Sequence, residues 1–426
     1  MKPTHRLSTV SSLLTAVMLL MTTPSFADSD ADSDSGALLQ DRARVIHERV
    51  LTLDTHIDIP ANYATHDLDP GSETALQVDL PKMLKGGLDA GFFIVFVSQG
   101  PLTDEGYADA YDKAIAKFDA IDRQSLLYGH VIGFAKTPGD VDTLAASGKL
   151  VAMIGLENGY SLGADMEHML EFYNRGARYM SLTHLGNTQF GDSAGGTGSS
   201  PEPMHGGLSA LGYKAILKMN YMGIMIDVSH AAKTTTMQAI KASKAPVIAS
   251  HSALRKFRDI PRNISRKEMK AIAKRGGVVQ VVAFDAYLKE PPTEKSAAIT
   301  EIREDMGLDT REAMRAATPD QWAALRKRVR TLDETWPRAN VADFVDQIDY
   351  AVKVMGIDHV GIASDFGGGG GIDGWDNASE TFAITLELVR RGYDEPDIAK
   401  IWSGNLLRVW REVETVAAKM QAQESN

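Results

Sequence analysis

The sequence predicts a closed β/α barrel, and two observations carry that prediction. Short apolar runs alternate with amphipathic stretches along most of the chain, and eight of the runs have the length and composition of strands. Most of these runs end in a charged or imidazole side chain. In a β/α barrel the carboxyl ends of all strands meet at one face, whereas an open doubly wound sheet would spread them along a line.

The predicted strands are short and rich in β-branched and small apolar residues. In chain order they are Val50–Ile59, Gly91–Ser98, Leu150–Leu156, Arg178–Thr183, Gly223–Val228, Pro246–Ser250, Gly277–Phe284 and His359–Ala363. The predicted helices between them have apolar residues at helical spacing and include Tyr107–Leu127, Met166–Gly176, Ser209–Met222, Thr234–Lys241 and Ser265–Arg275. The number of elements alone leaves an open sheet as an alternative, and the polar strand ends favour the barrel.

One connection is much longer than a barrel crossover requires. Residues 287–354 lie between the seventh and eighth predicted strands and contain helical patterns of their own, among them Gln321–Thr331 and Val341–Val354. The strand before this segment ends on the carboxyl side of the barrel, so we expect part of the segment to be an insertion over that face. Residues 37–426 are predicted to form a single β/α-barrel domain.

The amino-terminal residues have the features of a secretory signal. Two basic residues precede a short apolar run, Leu13–Met21, and Ser25-Phe26-Ala27 places small residues at the two positions that a signal peptidase reads. The run is shorter than the roughly 20 residues that a membrane span needs. We predict a signal peptide over residues 1–27, a disordered acidic leader over 28–36, and a soluble periplasmic or secreted protein without a stable membrane anchor.

The composition restricts the chemistry. The chain has 426 residues and no cysteine, which excludes disulfides, thiolate metal sites and a cysteine nucleophile. Any metal must therefore be held by histidine, aspartate and glutamate. The formal net charge of −11 would repel a phosphate backbone, so we expect no nucleic-acid partner.

Five residues at strand ends form a candidate metal site. His56 and Asp58 are two positions apart, so their side chains point to the same face, while Glu157, His230 and His251 follow other apolar runs. Each alone could be a core histidine or a helix-capping carboxylate, but together they match the ligands of borderline divalent metals. Glu157 can bridge two ions, one held by the first pair and one by the two later histidines. A bridging water would then lose a proton and become the nucleophile.

At these residues the chain resembles the renal (membrane) dipeptidase family, peptidase family M19. The similar stretches run in order from about residue 40 to 410: DTHIDIP (54–60), QVDLPKMLKGGLDAGFF (77–93), GLENGYS (155–161), RYMSLTHLGN (178–187), GLSALG (207–212), MGIMIDVSH (222–230), APVIASHSA (245–253), RN (262–263) and GIDHVGIASDF (356–366). The resemblance implies a bacterial exported member with two zinc ions on the same five ligands. It also implies a homodimer and tolerance of a D-residue at the substrate's carboxyl-terminal position.

The resemblance implies roles for three further residues. His184 is similar to the family histidine that steadies the carbonyl oxygen as it becomes an oxyanion, and Arg262 to the residue that pairs with the substrate's carboxylate. Without the family pattern, Arg262 is one member of a basic cluster that could be a solvated face. Asp365 is similar to the general acid/base that carries the proton to the departing amine. After Phe366 the chain departs from the pattern, because Gly367–Gly371 replace an acidic residue and a glycine.

The predicted function is hydrolysis of dipeptides by a metal-bridging hydroxide in a zinc-dependent dipeptidase. The alternative is another metal-dependent amidohydrolase that acts on N-acyl or cyclic amides. That class usually has H-x-H on its first strand and often a modified lysine as the bridge, whereas this chain has Asp58 and Glu157. A barrel that binds ligands without turnover would have lost a metal ligand or the acid, and none is missing. The other histidines are predicted to be structural, with His66 and His205 in loops near the site.

Overall fold

A parallel sheet that curls into a barrel forms the centre of the protein. The structure, a computed structural model, describes residues 27–424. Its strands are β1 (Leu53–Asp58), β2 (Ala90–Phe96), β3 (Ile132–Phe134), β4 (Leu150–Glu157), β5 (Ala177–Ser181), β6 (Met225–Asp227), β7 (Val247–Ser252), β8 (Val278–Val282) and β9 (Val360–Ala363). Eight of them follow one another in the order β1-β2-β4-β5-β6-β7-β8-β9, with parallel pairing throughout. The predicted barrel and its eight strands are confirmed.

The short strand β3 is the one strand of the described chain that the sequence did not predict. It pairs with Leu150–Ala152 at the start of β4, while β5 pairs with Ile154–Leu156 further along the same strand. Because β2 occupies the other edge of β4, β3 fills the part of this edge that β5 leaves free. Three residues are too few to show an alternating pattern.

The barrel closes between β1 and the end of β9. Ile57 pairs with Phe366, and the backbone N–H of Asp58 donates to the Phe366 carbonyl at 2.7 Å. The buried Asp54 carboxylate accepts hydrogen bonds from the Ser364 N–H at 2.9 Å and from the Ser364 hydroxyl. A side chain of the first strand therefore holds the backbone that follows the last strand, which brings the polar residues of both strand ends together.

The carboxyl-terminal helix α16 (Asn405–Glu424) closes the opposite end of the barrel. Its apolar face forms one cluster with inward-facing side chains of the strands. Trp410 is fully buried with its ring 6.0 Å from that of Phe92, and Phe92 lies 5.1 Å from Tyr179. Aromatic rings of this size dominate core energetics, so this layer forms a rigid floor beneath the carboxyl face.

Helices surround the barrel. They are α1 (Ala27–Arg49), α2 (Leu80–Gly86), α3 (Asp104–Tyr128), α4 (Pro138–Ala146), α5 (Met169–Arg175), α6 (Ala210–Met222), α7 (Lys233–Ala242), α8 (Arg266–Lys274), α9 (Asp285–Leu288), α10 (Thr293–Asp305), α11 (Arg311–Ala316), α12 (Pro319–Arg330), α13 (Val341–Met355), α14 (Phe382–Arg390), α15 (Glu395–Ala399) and the helix α16. The five helices predicted between the strands correspond to α3, α5, α6, α7 and α8. Polar side chains cap the amino-terminal ends of several of these helices. At the start of α8, for example, Ser265 and Glu268 form a reciprocal capping box.

The amino-terminal segment differs from its prediction. Residues 28–36, expected to be a disordered leader, belong to α1. No proline lies between residues 27 and 49, and each residue that extends an existing helix adds a backbone hydrogen bond. The predicted signal peptide, residues 1–27, lies outside the described residues apart from Ala27. Within residues 27–424, no helix combines the length and the apolar character needed to cross a bilayer.

The long segment between β8 and β9 contains five α-helices, α9 to α13. The predicted helix at its end is α13, which buries Phe344, Val345 and Ile348 and packs against α8, α14 and the barrel. Helix α12 reaches the loops at the carboxyl face, where Arg326 donates to the Ala75 carbonyl at 3.3 Å and Arg330 forms an ion pair with Asp376. The surplus residues thus contact the loops that border the site described next.

Candidate metal centre

Polar side chains from most strand ends line one cavity at the carboxyl face of the barrel. Its lining residues are Asp58, Phe96, Glu157, His184, His230, His251, Phe284, Tyr287, Asp365 and Gly368. Six of the predicted site residues are among them, and His56 lies directly behind. Only Arg262 is set further back, next to the end of β7.

One oxygen of Glu157 faces the end of β1. Glu157 Oε2 lies 3.5 Å from His56 Nε2, which is also 3.4 Å from Asp58 Oδ2. The His56 and Glu157 side chains are almost fully buried, and His56 Nε2 has no hydrogen-bond partner among the described residues. A buried polar nitrogen without a partner is costly, so a ligand at this atom would lower the free energy.

The other oxygen of Glu157 faces the ends of β6 and β7. Glu157 Oε1 lies 3.2 Å from His230 Nε2 and 3.3 Å from His251 Nε2, and these two nitrogens are 2.9 Å apart. In the described part of the chain, Glu157 Oε1 also has no hydrogen-bond donor. The two oxygens of one carboxylate therefore face two separate sets of nitrogen and oxygen atoms.

This set of donors fits divalent metal ions. Three overlapping groups have ligand atoms within 4.8 Å of one another: His56, Asp58 and Glu157; Glu157, His184 and His230; and His56, His251 and Asp365. Imidazole nitrogens and carboxylate oxygens are the ligands that zinc and similar metals use where thiolates are absent. The unpartnered atoms of His56 and Glu157 belong to these groups, so the arrangement leaves free the atoms that a metal would need.

A neighbouring hydroxyl determines which nitrogen of His56 is free. Tyr179 donates its hydroxyl hydrogen to the Thr55 carbonyl at 3.0 Å, and its oxygen lies 3.0 Å from His56 Nδ1. Since that hydroxyl hydrogen is already used, the oxygen accepts from Nδ1–H and leaves the lone pair on Nε2. Such a partner fixes the orientation of a metal-binding histidine. Tyr179 was not predicted, because its place inside a buried strand looks like that of an ordinary core residue.

A chain of two hydrogen bonds fixes the orientation of His251. Its Nδ1–H donates to the Ser250 hydroxyl at 2.8 Å, and that hydroxyl donates to Asp227 Oδ2 at 2.6 Å. Asp227 Oδ1 also accepts from the backbone N–H groups of Ser229 and Ser250. The fully bonded Asp227 carboxylate thus orients the ring of His251 with Nε2 toward Glu157. The sequence places Asp227 three residues before His230, but nothing in that spacing indicates a bond to the next strand.

The charges of the cavity depend on one another. Burial by itself raises the pKa of Glu157, but His184, His56 and the two other imidazoles outweigh it and hold that pKa well below its usual range. Burial also lowers the pKa of both His230 and His251. These shifts favour an ionised Glu157 and neutral rings at His230 and His251, which are the forms that bind metals. At His56, burial lowers the pKa, but the carboxylates of Glu157 and Asp58 outweigh it and raise that pKa well above its usual range.

Asp365 lies on a strained backbone beside these groups. Its φ is 59°, in the left-handed region that costs energy for residues other than glycine, and His230 has a φ of 63°. Asp365 Oδ1 is 3.9 Å from His56 Nε2. Burial raises its pKa well above the usual range, opposed by His56 and reinforced by the carboxylates of Asp58 and Glu157. A carboxyl group with a raised pKa can hold a proton near neutral pH.

His184 lies three residues beyond the end of β5. Its Nε2 is 3.8 Å from Glu157 Oε1, and its ring centroid is 4.6 Å from that of Phe96. Burial lowers its pKa, so the ring is neutral over more of the pH range and can donate one hydrogen bond. His184, predicted as the residue that ends the fourth strand, lines the cavity, whereas His66 is fully exposed and His205 contacts the Thr188 carbonyl.

Arg262 is buried behind His251. Its guanidinium donates to the Ser252 hydroxyl at 2.9 Å and to the His251 carbonyl at 2.6 Å, and it lies 5.1 Å from the centre of the Tyr287 ring. Among the side chains that the structure describes, no carboxylate forms an ion pair with it, although Arg262 is only 2% exposed. A buried cation without a counter-ion is expensive, and an anionic group in the cavity would reduce that cost.

The comparison with protein families agrees with this geometry. A sequence model described as membrane dipeptidase (peptidase family M19) matches residues 40–424, most of the chain. The chain belongs to this family. The predicted membership is confirmed, and with it a metallodipeptidase activity whose substrates are small peptides.

Relatives of this M19 chain include named dipeptidases. Rat dipeptidase 3 is 28% identical over 392 residues, which cover 90% of this chain and 70% of the rat protein. Dipeptidase aclJ from Aspergillus oryzae is 27% identical over 366 residues, which cover 84% of this chain and 74% of that protein. Among solved structures, the probable dipeptidase PvdM from Pseudomonas aeruginosa is 32% identical, with a TM-score of 0.78 over 89% of this chain and all of PvdM.

A glycine run closes one side of the cavity in this M19 dipeptidase. A Cβ on Gly368 would overlap Asp365 Oδ1 and Asp58 Oδ2, so a larger residue there must displace at least one of the two carboxylates. Gln77 holds the run: its Nε2 donates to the Gly370 carbonyl at 2.9 Å, and its Oε1 accepts from the Gly367 N–H at 3.0 Å. The departure from the family pattern seen in the sequence is thus a tight backbone contact with two site residues.

Gly368→Ala is expected to lower kcat at least about tenfold, because the added methyl group must displace Asp58 or Asp365. A misplacement of about 1 Å in an active site can cost about 100-fold in rate. Gly198→Ala is the matched control, since no atom lies within 4 Å of a Cβ at that position. Steady-state kinetics on both purified variants tests this; equal activities would show that the glycine run does not position the carboxylates.

Proposed function

We propose that the chain is a two-zinc dipeptidase that cleaves the peptide bond of dipeptides. The proposed metal ligands are His56, Asp58, Glu157, His230 and His251. The main support for this proposal is that the two oxygens of the Glu157 carboxylate face different histidines. Oε2 lies 3.5 Å from His56 Nε2, and Oε1 lies 3.2 Å from His230 Nε2. Bound divalent ions would polarise the scissile carbonyl group and lower the pKa of a water molecule.

The residues around the ligands have separate proposed roles. Asp365 accepts a proton from water and delivers it to the departing amine, since its carboxyl group is buried within reach of the same cavity. His184 donates a hydrogen bond to the carbonyl oxygen as negative charge develops on it. Tyr179 and Asp227 act on the metal ligands alone, through the hydrogen bonds to His56 Nδ1 and, by way of Ser250, to His251 Nδ1.

Arg262 is proposed to bind the carboxylate at the substrate's carboxyl terminus. The buried guanidinium has no acidic partner within the described chain, and its two terminal nitrogens can form the parallel pair of hydrogen bonds that a carboxylate accepts. We extend the proposal to a D-residue at that position. In support, a structural neighbour with 21% identity and a TM-score of 0.66 is a metallo peptidase from Rhodobacter sphaeroides liganded with a phosphinate mimic of L-Ala-D-Ala.

Turnover of a dipeptide library by purified, zinc-loaded protein tests the function. We expect release of free amino acids, loss of activity on removal of metal by a chelator, and recovery when zinc is added back. Tripeptides and N-acylated amino acids serve as comparison substrates. Faster hydrolysis of N-acyl or cyclic amides than of any dipeptide would reject the proposed dipeptidase specificity.

Arg262→Met is expected to raise the KM for dipeptides at least about tenfold, because it removes a charge-assisted pair of hydrogen bonds to the substrate carboxylate. The matched control is Arg258→Met, since Arg258 lies in the same segment and donates to the Ala286 carbonyl outside the cavity. Kinetics on a free dipeptide and on its carboxyl-terminal amide measure the effect. The role would be wrongly assigned if the two variants lost binding equally, or if Arg262→Met weakened binding of the amide as much as that of the acid.

A further inference from the structure

A second cation, Lys117 of helix α3, lies next to a residue that lines the cavity. The Lys117 ammonium lies 5.5 Å from the centre of the Phe96 ring, and Phe96 lines the cavity. Lys117 is only partly exposed to solvent. Burial lowers its pKa, while the nearby carboxylates of Asp58 and Glu157 raise it. Lys117 is therefore close enough to the cavity to interact electrostatically with two of its carboxylates.

Hydrogen bonds hold helix α3 against the loop after the first strand. Arg123, six residues further along the helix, donates to the carbonyls of Ala61 and Tyr63 in the loop that directly follows β1. Helix α3 begins on the carboxyl side of the barrel after β2 and descends from there. Lys117 lies six residues, about 9 Å, nearer to the start of this helix than Arg123, on the side of the barrel's carboxyl face.

No partner within the protein accounts for this charge. Of the side chains described in the structure, no carboxylate forms an ion pair with Lys117 and no group forms a hydrogen bond with it. Lys113, one turn earlier on the same helix, is exposed and pairs with Asp109 at 2.5 Å. A partly buried ammonium that contacts only an aromatic face retains all three of its hydrogen-bond donors for another group.

The two unpaired cations lie on opposite sides of the barrel. Lys117 is next to the end of β2 through Phe96, and Arg262 is next to the end of β7 through His251. In the order β1-β2-β4-β5-β6-β7-β8-β9, these strands are four positions apart in a ring of eight. A dipeptide whose terminal carboxylate is bound at Arg262 would therefore extend its amino-terminal residue toward Lys117.

We propose that Lys117 is a specificity-determining residue that binds the acidic side chain of an aspartate or glutamate at the amino-terminal position of the dipeptide. The inference rests on the proposed dipeptidase function and on the proposed binding of the substrate's terminal carboxylate by Arg262. An ammonium group distinguishes glutamate from glutamine, which has nearly the same shape, by charge. Lys117 would act on substrate selection and not on the proton transfers.

The test compares four dipeptides on zinc-loaded enzyme: Glu-Ala, Gln-Ala, Ala-Glu and Ala-Gln. Wild-type enzyme should have a higher kcat/KM for Glu-Ala than for Gln-Ala. Lys117→Met should lower kcat/KM for Glu-Ala about tenfold while Gln-Ala changes less than about threefold, and Lys117→Arg should restore part of the preference. Lys113→Met is the control on the same helix and should leave all four values unchanged.

Three results would overturn the inference. The first is an equal loss for Glu-Ala and Gln-Ala, which would mean that Lys117 is structural. The second is a loss confined to Ala-Glu, which would place the acidic side chain at the other position. The third is a Lys117→Met enzyme that keeps the wild-type kcat/KM for both Glu-Ala and Gln-Ala. By contrast, a wild-type enzyme that hydrolyses none of the dipeptides would contradict the proposed function itself.

Discussion

Replacement of Glu157 by glutamine is expected to remove most of the bound metal and to lower kcat/KM by more than about 100-fold. The carboxylate provides one oxygen to each side of the centre, and an amide replaces one of these acceptors with an NH₂ donor beside histidine nitrogens. Changes in groups that only support metal ligands already cost about 10- to 100-fold in affinity or activity, so the loss of a shared ligand should exceed that. Elemental analysis and kinetics at increasing zinc concentrations measure both effects.

Glu202→Gln is the control for this substitution, because Glu202 is an exposed residue of the loop after β5. The wild-type and control proteins should each contain about two zinc ions per chain, whereas Glu157→Gln should contain fewer than one. A Glu157→Gln protein with two ions and normal turnover would refute the shared carboxylate. One ion in fully active wild-type protein would refute the two-metal centre.

Asp365→Asn is expected to lower kcat by about 100-fold or more and to leave the metal content unchanged. Asparagine keeps the shape of the side chain but cannot take up or release the proton that the reaction transfers. Asp365 also belongs to one of the possible ligand groups, with His56 and His251, so metal analysis is needed to separate the two roles. Kinetics under saturating substrate and metal analysis of the same samples give the answer.

Asp373→Asn is the matched control for Asp365→Asn, because Asp373 follows the glycine run and is exposed. Its kcat should stay within about twofold of wild type. If Asp365→Asn turned over at the wild-type rate, another residue would carry the proton. If it lost both metal and activity, Asp365 would be a metal ligand and not the acid/base.

The sequence by itself determined the fold and the group of residues that meets in the cavity. A parallel barrel brings the carboxyl ends of all its strands to one face. Polar residues at the ends of apolar runs can therefore be predicted from the sequence to lie close together. His56, Glu157, His230 and His251 lie as far apart as 195 residues in the chain, and all converge in the structure. Each strand or helix pattern depends only on residues that are close in sequence, so these elements could be predicted from the sequence alone.

Contacts between distant segments were decided only by the tertiary structure. Tyr179 touches His56 across 123 residues, and Gln77 holds the glycine run across 290. Lys117 lies 5.5 Å from the centre of the Phe96 ring, on a helix that Arg123 holds against the loop after β1. Such contacts depend on how an entire helix or loop is positioned by packing, and no local spacing encodes that position. The periodicity of the chain therefore determined which residues could act together, and the packing of helices and loops determined which other side chains support them.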